Sequence, residues 1–268
     1  MKSKVLLLLS FCFLALLSCS LEPDEPSIAL LSIACSYRST NATALWGPET
    51  DAREMEAVLQ ARHSGLTGMR LTDPTREEVE TALKELSESE LTIVYYSGHG
   101  WKDGSWVLPP EDGEVFGDDG LVKQELLLKP NEIWKLLDRR PGCHLLISDS
   151  CYSGALVPDS SSISTEIEDD GGNVDVWSPS STEDYALVCT TKKNTGKEHG
   201  GAHPHGYFTE ALLGALGWSC SQQRLVSSKP KTLDELLSEV KRTQRVPLGV
   251  GRRAQHPLLA EGWRTLVL

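Results

Sequence analysis

The 268-residue sequence predicts an α/β fold, a mostly parallel central sheet with helices on both faces. Three observations carry that expectation. Short apolar runs recur along the chain with little polar alternation, as strands buried on both faces require. Segments with apolar residues three and four apart lie between those runs, as in strand–helix–strand units. The composition, 40% hydrophobic and 24% charged, suits a packed core rather than a disordered chain.

The elements follow in order. Ile28 to Ala34 is an apolar run bounded by polar residues, a buried strand. Thr50 to Ala61 places Ala52, Met55, Val58 and Leu59 at helical spacing, with Thr50 as the expected cap. Leu66 to Leu71 reads as a short strand. Asp73-Pro74 opens a second helix, with Val79, Leu83 and Leu86 on one face. Leu91 to Tyr96 is a third strand that runs straight into Ser97-Gly98-His99-Gly100. Residues 101–128, rich in Gly, Pro, Asp and Trp, read as a loop with a small hairpin. Pro130 to Leu137 is a helix. His144 to Ser148 is a fourth strand, ending at Asp149-Ser150-Cys151-Tyr152-Ser153-Gly154. Residues 157–183 are acidic and Ser-rich, the composition of a disordered insert. Tyr185 to Cys189 is a fifth strand, Tyr207 to Leu216 and Leu233 to Val240 are helices, and the tail from Leu258 to Leu268 supplies a sixth strand.

The net charge is −12, with no long Lys/Arg run, which argues against a nucleic-acid partner. The first residues form a separate unit. Lys2 and Lys4 precede the apolar run Val5 to Leu17, which is short for a permanent membrane span. It ends in Leu16-Leu17-Ser18-Cys19, which resembles a bacterial lipobox. Residues 1–18 are thus expected to be a lipoprotein signal peptide, Cys19 the lipidated residue, and residues 19–26 a tether to residues 27–268. The chain would then be lipid-anchored in the cell envelope, with a mature charge of −14 after loss of two lysines. Five cysteines remain beyond Cys12 and Cys19, an odd number that leaves at least one free thiol. Cys35, Cys143 and Cys189 adjoin apolar runs and read as buried hydrophobes. No CxxC pair exists, so the cysteine pattern offers no metal site.

In a parallel sheet, ligands gather beyond the carboxyl ends of the strands. His99 follows the third strand and Cys151 the fourth, so both emerge at one edge. A cysteine attacks carbonyl carbon as its thiolate, and a histidine can take its proton. Gly98 and Gly100 would leave room for substrate backbone, and Gly154 would allow a sharp turn after Cys151.

These motifs resemble those of the caspase-like cysteine peptidases, in particular the bacterial relatives of metacaspases. The carrying segments are Tyr96-Ser97-Gly98-His99-Gly100 and Asp149-Ser150-Cys151-Tyr152-Ser153-Gly154, 52 residues apart from His99 to Cys151. Leu45 to Ala52, Gly206 to Leu212, Thr232 to Leu236 and Gln255-His256-Pro257 extend the likeness over about residues 27–260. The resemblance implies a caspase-hemoglobinase fold and a protein or peptide substrate. It implies Cys151 as nucleophile, His99 as general acid/base without a third residue, and an oxyanion hole from the N–H groups of Gly100 and Cys151. It also implies an S1 pocket of Asp51, Ser97 and Asp149, hence cleavage after Arg or Lys. Asp51 equally suits a helix first turn, and Asp149 a strand-end hydrogen-bonding role.

The chain departs from that family in two places. Calcium-dependent metacaspases carry an aspartate run where this chain reads Lys129-Pro130-Asn131-Glu132, and Asp118-Asp119 nearby is an ordinary solvated pair. No cofactor is therefore expected, with calcium the one metal left open. No Lys or Arg lies between Arg140 and Lys192, so a basic-specific enzyme could not cut its own insert. A same-fold peptidase with Asn or Asp preference, and a non-catalytic binding lipoprotein, remain the alternatives. The oligomeric state is not legible.

Overall fold

The structure is a computed structural model. It describes residues 26–156, 184–188, 196–244, 258–259 and 266–268. The leader with Cys19, the tether up to Glu25, the insert 157–183, Cys189 and Gln255-His256-Pro257 lie outside the described residues. No described helix is long and apolar enough to cross a membrane.

The first unit is strand β1 (Ile28–Ala34), helix α1 (Pro48–Arg62) and strand β2 (Thr67–Thr72). Every residue of β1 is buried, while β2 is largely exposed. The expectation of apolar strands throughout therefore fails at β2. It lies at the sheet edge, where only Met69 and Leu71 pack inward and Arg70 pairs with Glu56 at 3.1 Å. Helix α1 begins two residues before the expected Thr50. Pro48 opens it, its fixed φ suiting the first helical position, and Gly47 stands at the cap. Thr50 is not a cap but a buried residue of the first turn.

Helix α2 (Arg76–Glu85) starts later than Asp73-Pro74 suggests. Thr75 caps it, its hydroxyl accepting from Glu78 N–H while the Glu78 carboxylate accepts from Thr75 N–H. Asp73 instead sits at φ 46° and accepts from the Ser36 and Tyr37 amides, at 2.6 and 3.0 Å. It clamps the chain as it leaves β1.

The chain returns through β3 (Leu91–Ser97). The hairpin strands β4 (Trp106–Val107) and β5 (Leu127–Leu128) follow, then α3 (Pro130–Leu137) and β6 (Cys143–Asp149). After β6 come β7 (Asp184–Val188), the short pair β8 (Glu198–His199) and β9 (His205–Gly206), and α4 (Tyr207–Ala215). Strands β10 (Trp218–Ser219) and β11 (Arg224–Leu225), α5 (Leu233–Thr243) and β12 (Leu258–Leu259) complete the order.

The main sheet runs β12-β7-β6-β3-β1-β2, parallel except for β12, which is antiparallel to β7. Alternate residues of each inner strand feed two cores. Leu30, Ile93, Tyr95, Leu145 and Ile147 face α1, α4 and α5, whereas Leu31, Val94, Tyr96 and Leu146 face α2, α3 and the hairpin. Strand β1 connects outward to β2 across the first face. The chain then returns by α2 across the second face to β3 on β1's other side. This reversal leaves a crevice at the carboxyl ends of β1 and β3. The register places Ala34 beside Ser97 and Ser97 beside Asp149, so three strands end level at that crevice.

Candidate functional site

The pocket at this edge is lined by Asp51 from α1, Ser97, Gly98 and His99 from the end of β3, and Asp149, Ser150 and Cys151 from the end of β6. Gly196, Lys197, Glu198 and Gly206, with Leu45 and Pro48, close it. All the residues singled out in the sequence at this edge, Asp51, Ser97, His99, Gly100, Asp149 and Cys151, converge here. Gly100 abuts it directly, since a Cβ on Gly100 would collide with the Cys151 carbonyl.

That collision gives a second reason for the glycines, beside any room they leave for substrate. A Cβ on Gly98 would meet the Tyr96 hydroxyl at 2.6 Å. Both glycines let the His99 turn pack against its own protein. The turn after Cys151 also differs from expectation: Tyr152, not Gly154, takes the left-handed conformation, at φ 57°. A non-glycine residue there is uncommon, and such strained positions cluster at functional sites.

Tyrosines fix the histidine. Its amide donates to the Tyr37 hydroxyl at 3.0 Å and its carbonyl accepts from the Tyr96 hydroxyl at 2.7 Å. Both hydroxyls also reach the Val107 carbonyl, and the Tyr37 ring lies against the imidazole at 4.5 Å. The imidazole Nε2 lies 2.7 Å from the Thr43 carbonyl. A carbonyl only accepts, so Nε2 carries the proton and Nδ1 is left as the basic nitrogen. The Thr43 carbonyl is thus a third partner that the sequence reading lacked. Burial holds the imidazole below its ordinary pKa, against the opposing pull of Thr43 and Glu198.

Trp106 stacks on Tyr96 at 4.4 Å and donates to the Ser148 hydroxyl, which bonds Ser150 in turn. That chain supports the residue before Cys151. Burial pushes the Cys151 thiol above its ordinary pKa. The Gly196 N–H works the other way, and the Asp149 charge adds to the rise. Both shifts favour the uncharged forms, a thiol at Cys151 and a neutral imidazole at His99.

The two aspartates are anchored differently. Asp149 accepts from the Thr209 hydroxyl and amide at 2.7 and 3.2 Å, which ties it to the first turn of α4. Asp51 is fully buried and accepts from Ser97 Oγ at 3.1 Å, from the Gly206 amide, and from His205 Nδ1 at 2.8 Å. Burial raises the Asp51 carboxyl, with His205 opposing. Burial alone would depress His205, but the carboxylate on Nδ1 and Cys220 lift it to about 10. Breaking such a buried pair costs about 3–5 kcal/mol, whereas the exposed Arg38–Glu49 pair is screened by water. Asp51 is therefore a compensated charge. Asp149 and a carboxylate that no motif announces, Glu198, supply negative charge beyond it. Glu198 accepts from the amides of Trp46 and Gly47, ahead of α1.

Among the described residues, Cys35, Cys143, Cys151 and Cys220 form no disulfide. Cys35 is fully buried as expected, but Cys143 is only partly so.

Two comparisons with known proteins place this arrangement. The caspase-domain family model matches residues 27–261. The crystal structure of caspase-1 from Spodoptera frugiperda superposes with a TM-score of 0.57 at 13% identity, covering 87% of this chain and 85% of that one. No curated protein matches the sequence. The fold is that of the caspases, and with the family model spanning nearly all of residues 27–268, the chain belongs to the caspase-domain family of cysteine peptidases.

Proposed function

We propose that the protein is a cysteine endopeptidase that cleaves after Arg or Lys through Cys151 and His99. One observation carries the reading: a single pocket is lined by both reactive side chains and by the carboxylates Asp149 and Glu198, beside the ion-paired Asp51. A guanidinium or ammonium group is the natural complement of such a wall.

In this reading His99 Nδ1 takes the thiol proton as the Cys151 sulfur attacks the scissile carbonyl. The N–H groups of Gly100 and Cys151 hold the resulting oxyanion. The imidazolium passes its proton to the leaving amine, and the thioester remains on Cys151. Water, losing a proton to the same nitrogen, then hydrolyses the thioester and regenerates the thiol. Thr43 keeps the imidazole oriented throughout. No cofactor enters the sequence of steps.

A panel of fluorogenic peptides with Arg, Lys, Asn or Asp at P1, run with and without EDTA, tests both claims. The expected result is turnover of the Arg and Lys peptides alone, unchanged by EDTA and absent in Cys151→Ala. Turnover of only the Asn or Asp peptide would transfer the specificity to the alternative, and EDTA sensitivity would point to calcium. A binding lipoprotein without activity would leave Cys151 unlabelled by an Arg-chloromethylketone.

We also propose that Cys19 carries the lipid that holds the enzyme to the envelope. Metabolic labelling with an alkyne-tagged fatty acid is expected to mark the wild-type chain and not Cys19→Ala. Equal labelling of both would sink the anchor.

A further inference from the structure

Behind the Asp51 wall, one turn of α1 grips a buried imidazole by both nitrogens. Asp51 accepts from His205 Nδ1 at 2.8 Å, and three residues on, the Glu54 carboxylate lies 3.6 Å from His205 Nε2. The side chains of His205 and Glu54 are 1% and 2% exposed. Nε2 nevertheless makes no hydrogen bond of ordinary length among the described residues, with Glu54 and Cys220 standing just outside that reach. Cys220, just after β10, brings its sulfur to the same point: the ligand atoms of Glu54, His205 and Cys220 all lie within 4.8 Å of one another. Buried polar nitrogens are normally paired, and this one is aimed at a carboxylate and a thiol.

We propose that Glu54, His205 and Cys220 form a binding site for a divalent zinc-like cation. One oxygen, one imidazole nitrogen and one thiolate make a donor set that suits borderline-soft zinc and not calcium or magnesium. Three protein ligands leave the fourth tetrahedral position to water. Bonds of about 2.0–2.3 Å require the three donors to draw in by about 1 Å, which Cys220, half-buried on its turn, can supply. On binding, the metal takes the places of the Nε2 proton and the thiol proton, and both are released to solvent. The supporting contacts are present. Asp51 on Nδ1 makes a carboxylate–histidine–metal arrangement, and the Trp218 indole donates to Glu54 Oε2 at 2.8 Å. The three ligands come from α1, β9 and the turn after β10, so the cation would fasten these elements together behind the pocket. It would also hold Asp51 and Gly206 in register. The site stands independently of the peptidase reading.

The test uses the full chain carrying Cys151→Ala, so that the His99–Cys151 pair cannot capture metal. Zinc is expected to remain at about one equivalent after gel filtration and to be released to a chromophoric chelator. Cobalt is expected to give a thiolate-to-metal charge-transfer band in the near ultraviolet. Adding Cys220→Ser should abolish that band, and adding Asp51→Asn should weaken zinc binding by about 10–100-fold. Absence of the cobalt band from the parent chain overturns the site whatever the variants do. An unchanged band in Cys220→Ser overturns it equally. A melting temperature of metal-free Cys220→Ser equal to that of the parent, with zinc raising only the parent's, would support the site by a route that does not depend on the spectrum.

Discussion

His99 is held at its amide, its carbonyl, its Nε2 and its ring face, by Tyr37, Tyr96 and Thr43. Of these only Tyr96 lies in the motif around the histidine, and its hydroxyl role depends on where β3 puts it. The protonation state follows from the same surroundings. Burial keeps the imidazole neutral to below 6.5 and the thiol protonated to above 9. The activity limb that reports His99 should therefore rise with pH through a midpoint below 6.5 in kcat/KM. Alkylation of Cys151 by iodoacetamide, mapped by mass spectrometry, should climb through a midpoint above 9. A midpoint well below neutrality would mean that a thiolate–imidazolium pair already exists, contrary to both shifts. Glu198 shows the limit of motif reading at this scale. It reaches the pocket from 152 residues beyond Trp46, whose amide it accepts, and nothing local to Glu198 marks it.

At the scale of elements, boundaries depended on which group satisfies the first amides. The sequence reading placed a cap at Thr50, yet α1 starts at Pro48 and a distant carboxylate serves its entry. For α2 the local signal was present but one step away: Thr75 and Glu78 form a capping box, while Asp73 was drawn off to clamp β1. Thr75→Ala should lower the unfolding free energy by about 1 kcal/mol, seen as a lower urea midpoint with an unchanged slope. No shift would mean that tertiary contacts, not the cap, hold that end. The helix from Pro130 to Leu137 matched its expected span residue for residue. There Pro at the first position and the apolar spacing agreed, and no distant group competed.

Over the whole molecule, one reversal of strand order makes the site. Going out from β1 to β2 and back to β3 opens the crevice into which α1, β3 and β6 deliver their side chains. The stretch between Arg140 and Lys192 holds no Lys or Arg, so we propose that the active enzyme is one unbroken chain. Intact-mass measurement of the active protein is expected to show no cut within residues 157–183, and a nick there would refute the proposal. The sequence by itself determined the α/β class, the strand order in time, and the arrival of His99 and Cys151 at one edge of the sheet, because each rests on local periodicity or on a motif at a strand end. The two aspartates were also legible, though not their state. Only the tertiary structure decided that Asp51 is matched by His205, that Thr43 orients the imidazole, and that Glu54, His205 and Cys220 meet. Those contacts join residues more than fifty positions apart, apart from the short step between His205 and Cys220. Hydrogen bonds and charges act over a few ångströms in space, and chain order carries no measure of that distance until the sheet has formed.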